Sequence, residues 1–185
     1  VINIEDKLIF GLSNIHYSID GIAIKQLSGA IELSVEFEQD SQVAYINGFP
    51  TIKLNGALNG NGNLSLLGLS FTEMKELLGF KGSERGELYM DDNTNAPYVT
   101  LLFTEEKANG HKIHTVLYKC KFDITDIDSS TIKESLEQND LELEFNCIPD
   151  SSRHNLTYFK IDTEFANPTV IYNFFKSIQL PSDIK

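Results

Sequence analysis

The side chains able to do chemistry are few, and their spacing argues against a catalytic or metal centre. His111 and His114 are the closest pair of histidines. Inside a strand, positions i and i+3 point to opposite faces and cannot share an ion. His16 and His154 have no neighbours at ligand spacing. Cys120 and Cys147 each fall on the apolar side of an alternating segment, where a thiol acts as a small hydrophobe. Neither belongs to a Cys-x-x-Cys pair or has a cation on the same side of its strand to stabilise a thiolate. Asp123, Asp126 and Asp128 lack the glycine and the closing glutamate of a calcium loop, so a solvated turn is expected. No Gly-x-Ser-x-Gly elbow is present to raise a serine nucleophile. These residues name no enzyme and no cofactor.

Two further patterns have plainer readings. The run Asn59-Gly60-Asn61-Gly62-Asn63 has no Lys-Ser/Thr and no strand-to-helix setting, so it is no phosphate cradle. Its glycines mark a bulge or a close backbone approach. Asn63-Leu64-Ser65 and Asn155-Leu156-Thr157 match the glycosylation pattern, which matters only for a secreted chain.

The elements that must position these residues belong to a chain of 185 residues, 20.8 kDa, long enough for one domain with a sizeable core. Apolar residues make up 41 % of it, with 12 Phe and 7 Tyr, too many for intrinsic disorder. Fifteen Lys and Arg stand against 27 Asp and Glu, a formal net charge of -12. That balance disfavours binding to a phosphate backbone. No apolar run is long enough to span a membrane as a helix, and two cysteines make no disulfide framework. No basic stretch followed by an apolar one opens the sequence, so a protein made in the cytoplasm is expected.

Short alternating segments dominate. Strands are expected over 15–19, 30–38, 58–67, 87–91, 98–104, 113–122, 141–147 and 157–162. In 30–38, Ile31, Leu33, Val35 and Phe37 share one side, and Glu32, Ser34, Glu36 and Glu38 the other. In 113–122, Val116, Tyr118, Cys120 and Phe122 share one side, with Lys119 and Lys121 opposite. In 141–147, Leu141, Leu143, Phe145 and Cys147 face inward, with Glu142, Glu144 and Asn146 outward. Residues 39–57 are a long, mostly polar excursion carrying Val43, Tyr45, Ile46 and Phe49, either a two-stranded arm or a functional loop. One helix is expected over 71–78, capped by Ser70 and Glu73 and stopped by Gly79. A second follows Asn167-Pro168, with an apolar stripe from Val170 to Ile178 and Pro181 beyond it. The fold class expected is mainly β, an antiparallel sandwich or barrel-like sheet pair with two short flanking helices.

The order of these pieces resembles the major tail proteins, or tail tube proteins, of long, non-contractile-tailed bacteriophages. Gly11-Leu12-Ser13-Asn14-Ile15-His16-Tyr17-Ser18-Ile19 is similar to that family's opening. Gly62-Asn63-Leu64-Ser65-Leu66, followed by the helix ending Leu77-Leu78-Gly79, continues the likeness. So do Pro97-Tyr98-Val99-Thr100-Leu101-Leu102-Phe103 and His114-Thr115-Val116-Leu117-Tyr118-Lys119-Cys120. Leu143-Glu144-Phe145-Asn146-Cys147-Ile148-Pro149 resembles the family's penultimate strand. Tyr172-Asn173-Phe174-Phe175 resembles its closing aromatic helix, with Phe where Trp is common. The likeness spans nearly the whole chain and lapses over 39–57.

The resemblance implies a structural virion protein that self-assembles into stacked hexameric rings, forming a tube around a tape-measure protein. It implies tail-tip and terminator proteins as further partners, passage of double-stranded DNA without specific binding, and no membrane. Assembly would take place in the cytoplasm of a bacterial host. Within that frame, the acidic sides bearing Glu32, Glu36, Glu38, Glu142 and Glu144 are the candidate lumen lining, since carboxylates repel phosphates. The bland alternative pairs Glu142 and Glu144 with Lys119 and Lys121 on a neighbouring strand. Tyr45, Ile46 and Phe49 are candidate contacts between rings. Rival expectations are a carbohydrate-binding β-sandwich, against which the absence of Trp counts weakly, and the tube of a phage-derived bacteriocin.

Overall fold

The computed structural model describes residues 4–83, 85–124 and 140–184. Asp126 and Asp128 lie outside them. Eight strands are found among the described residues: β1 (Ile9–Ile19), β2 (Ala23–Gln26), β3 (Ala30–Ile46), β4 (Phe49–Leu66), β5 (Val99–Lys107), β6 (Lys112–Phe122), β7 (Leu141–Cys147) and β8 (Tyr158–Asp162). Two helices accompany them, α1 (Phe71–Leu78) and α2 (Pro168–Asn173). All strand pairings are antiparallel, in the order β2-β1-β5-β6-β7-β4-β3.

Strand β6 is where the sheet divides. One of its edges pairs with β5 throughout. Its other edge pairs with β8 over Ile113–Leu117 and with β7 over Cys120–Phe122. The β3-β4-β7 half therefore folds back over the β1-β5-β6-β8 half, and the main core fills the space between. Leu33, Val35, Leu64, Leu66, Leu143 and Phe145 meet Ile15, Tyr17, Val99, Leu101, Phe103 and Leu117 there. This is the sandwich-like β architecture expected from the alternation.

The helices cap and flank this core. In α1, Ser70 Oγ accepts the Glu73 amide and the Glu73 carboxylate accepts the Ser70 amide, completing the capping box. Gly79 takes the left-handed conformation that ends the helix. Leu77 and Leu78 then enter the main core, and Glu76 binds Tyr17 and Lys25 to hold α1 against β1 and β2. Helix α2 starts at Pro168 under an Asn167 cap. Phe174 at its end packs on the outer face of β5, β6 and β8 with Leu102, Val116, Tyr118 and Ile161. Among the described residues, no helix is long and apolar enough to cross a membrane.

Three sequence expectations need correction. Residues 87–91 form no strand: a single bridge, Lys81 to Tyr89, is all that segment contributes. Strand β1 begins at Ile9, not Ile15, because bulges near Gly11 and Asn14, both at positive φ, break its alternation. In β6, a register shift sets Val99 opposite Cys120 but Leu101 opposite Leu117, one extra residue on β6. The shift splits the set expected on one side. Val116 and Tyr118 pack outward beneath α2, while Cys120 and Phe122 face the main core.

Candidate functional site: an acidic face and a projecting arm

The strand order brings the five predicted glutamates onto one surface. Strand β4 lies between β3 and β7, and its register sets Glu32, Ser65 and Glu142 in one row. Ser34, Asn63 and Glu144 form the next, and Glu36, Asn61 and Asn146 the third. Glu38 follows opposite Asn59. All five glutamates are exposed. Paired residues across antiparallel strands project to the same side, so this is the face turned away from the core. Asp123 adds a carboxylate, its amide bonded to the Glu144 carbonyl. Ser34, Glu36, Asn61, Asn63, Asp123 and Glu144 border a shallow hollow of about 460 Å³.

The Asn-Gly run explains why this face is smooth. Its register is continuous, so it is no bulge: the asparagines point outward and the glycines inward. The Phe145 ring lies over Gly62, and a Cβ there would overlap it. Val35 and Phe37 would lie 3.1 Å from a Cβ at Gly60, a tight contact short of overlap. The glycines are close approaches to the core, and the asparagines between them form an uncharged amide ladder flanked by carboxylates. Sequence reasoning missed this ladder, although its alternation with glycine is visible.

Glu142 and Glu144 make no ion pair with Lys119 or Lys121 among the described residues. Asn63 Nδ2 reaches Glu142 Oε2 at 3.5 Å. Lys121 binds Asn95 Oδ1 at 2.7 Å, and the ammonium groups of Lys119 and Lys121 lie over the Tyr98 ring. Among the described residues, the carboxylates of the face thus have no cationic partner.

Residues 39–57 form an arm, the outer part of the β3-β4 hairpin. From Ser41–Asn55 to the turn, each strand of the arm pairs, among the described residues, only with the other, because β7 reaches no further along β4 than Gly60. Asn47 and Gly48, both at positive φ, make the two-residue turn that matches strand twist. Tyr45, Ile46 and Phe49 sit at the tip and are exposed, Tyr45 by 67 % and Phe49 by 74 %. Ile52 and Leu54 add exposed apolar surface further down. The pairs Ala44–Ile52 and Ile46–Phe49 share one side of the ribbon, and Tyr45–Pro50 lies on the other. An isolated two-stranded ribbon is marginal in water.

The remaining chemistry-bearing residues are dispersed. His111 is exposed, whereas His114 is buried against Phe174 and Phe175 and shares a 2.8 Å hydrogen bond with Thr104. Burial, and then the Lys112 charge, hold the His114 imidazole below its usual pKa. Cys120 and Cys147 are paired across β6 and β7, fully buried, with sulfurs 2.9 Å apart. Burial pushes the Cys120 thiol well above its ordinary range. Among the described residues, no three His, Cys, Asp or Glu side chains converge as a metal site would require. The chain matches no known protein-family model and none of the curated proteins it was compared with.

Proposed function

We propose that this chain is a tail tube protein, a subunit that polymerises into stacked hexameric rings and encloses a channel for double-stranded DNA. The observation that carries the proposal is the pairing of an exposed arm with a carboxylate face, the one without cover and the other without counter-charge among the described residues. A monomer gains nothing from an apolar-tipped ribbon; a polymer buries it. Among the described residues, β2 and β3 end the strand order, and a closed ring satisfies such edges with neighbours. The order of motifs resembling tail tube proteins supports the same conclusion.

On this reading the β3-β4-β7 face lines the lumen. Glu32, Glu36, Glu38, Glu142 and Glu144 then repel the phosphates of the passing duplex, and the amide ladder offers no fixed cation to hold one. DNA slides because nothing binds it. The tape-measure protein occupies the lumen before the genome does, tail-tip and terminator proteins close the ends, and the assembled subunit resides in the virion tail.

The purified chain tests this. Raised in concentration, it should pass from monomers to hollow tubes of uniform diameter in negative stain. A monomer at every concentration, even with tail-tip extract as a seed, would count against the proposal.

A further inference from the structure

The two cysteines sit at the seam of the sheet. Among the described residues, backbone pairing joins its two halves only at β6 and β7, over Cys120–Cys147, Lys121–Asn146 and Phe122–Phe145. The Asp123 amide donates to the Glu144 carbonyl, and the Ile148 amide to the Lys119 carbonyl. Those bonds fix which positions of this ladder are hydrogen-bonded, and Cys120–Cys147 falls between them as a non-hydrogen-bonded pair. Cα atoms in such a pair lie about 4.5 Å apart, and a disulfide accepts about 4.4–6.8 Å. Both side chains project to the same side, into the main core. Their sulfurs stand 2.9 Å apart, so a bond of about 2.0 Å needs side-chain adjustment and no strand movement.

Burial decides the route. Both cysteines are 0 % exposed, so no oxidant reaches them in the folded chain. A disulfide does not need an oxidant to enter the finished core. It needs one thiol exchange while β7 is undocked, followed by a contact that the fold itself makes. The two residues are 27 positions apart in the chain, and the β6-β7 register is what brings them face to face.

We infer that Cys120 and Cys147 are a latent cross-strand disulfide, closed when the chain folds in the presence of a low-molecular-weight disulfide such as oxidised glutathione. The thiolate of one cysteine attacks the glutathione disulfide, forming a mixed disulfide and expelling one glutathione thiolate. As β7 docks on β6, the second cysteine, also as thiolate, attacks the protein sulfur of that mixed disulfide and expels the other glutathione. Two protein thiols are oxidised to one disulfide, and one glutathione disulfide is reduced to two thiols, which take up the two protons. The bond then staples the half carrying the carboxylate face to the half beneath α2. This is a property of the single subunit and does not rest on the assembly reading.

Refolding of the full chain tests it. Reduced protein, unfolded in urea and diluted into buffer containing oxidised glutathione, should regain its fold, lose two hydrogens by intact mass and titrate no free thiol. Digestion without reductant should give one linked pair of peptides containing Cys120 and Cys147. The cross-link should lower the unfolding equilibrium constant roughly 30- to 900-fold against the reduced protein, read from urea melts with and without reductant. A chain that aggregates on dilution is oxidised instead in urea just below its unfolding midpoint, and read in the same way. Folded protein that keeps both thiols free, carries glutathione on either cysteine, or links cysteines between chains would overturn the inference. So would a disulfide that leaves the chain no more stable than its reduced form. Polymerisation of the reduced chain is scored separately, so failure of either reading is told from failure of the other.

Discussion

Replacing Phe49 and Ile52 with serine separates assembly from folding. Both side chains stand on the same side of the arm, Phe49 74 % and Ile52 50 % exposed. Fully burying a large apolar side chain is worth about 1.5–3 kcal/mol. Scaled by the surface each still shows, Phe49 has about 1–2 kcal/mol to gain and Ile52 about 0.8–1.5. The pair therefore loses roughly 2–4 kcal/mol of contact energy per subunit, which is roughly 30- to 700-fold in critical concentration. The monomer should be untouched, since neither residue joins either core cluster. Exposed substitutions of this kind shift stability by about 0.5 kcal/mol or less. Light scattering against concentration gives the first quantity, and urea unfolding of the monomer gives the second. Unchanged polymerisation would refute the assignment of the arm to an interface. A large fall in monomer stability would show instead that the arm is part of the folding core.

Other consequences follow from the same geometry. Gly62→Ala forces a methyl group into the Phe145 ring and should destabilise the monomer by about 1–3 kcal/mol in urea, with Phe145→Leu restoring part of the loss. His114 is held neutral by burial, so the unfolded chain takes up a proton before the folded one does. Stability should be flat above about pH 6.5 and fall as the pH drops below it, and His114→Gln should flatten that fall in melts between pH 8 and 5. Cys120 and Cys147 should resist a thiol reagent in the native protein and both react once it is unfolded, because both are buried and burial raises the Cys120 thiol pKa.

What the sequence made legible is local. The Ser70–Glu73 box and Gly79 set the bounds of α1, and period-two alternation placed the sides of β7 without error. Breaks in the period were not legible. One extra residue in β6 moved Tyr118 beneath α2 and Cys120 into the core, and bulges in β1 concealed six of its residues, 9–14. Residues 87–91 carry strand-like residues but find only one bridge partner, a tertiary fact. The arm was ambiguous because its apolar residues fall on both sides of the ribbon, although Asn47-Gly48 is the strongest short hairpin signal available. The acidic face is the clearest case of a nonlocal result. Alternation assigns each glutamate to the outside of its own strand, but one face arises only because β4 seats β3 and β7 on either side of itself. The cavity between β3 and the β5-β6-β8 surface likewise depends on β8 and β7 dividing the edge of β6 between them.

The excess of negative charge takes a position in this arrangement. Glu32, Glu36, Glu38, Glu142, Glu144 and Asp123 concentrate on one exposed sheet face, while Lys119 and Lys121 draw aside to Tyr98. A lumen needs that segregation, and a uniformly acidic surface does not supply it. A side-chain-resolution reconstruction of the assembled particle is the most direct test. The account predicts a hollow tube with Glu36 and Glu144 pointing into the channel and each arm covered by a neighbouring subunit; a solid fibre, or a tube carrying Glu36 and Glu144 on its exterior, would contradict it.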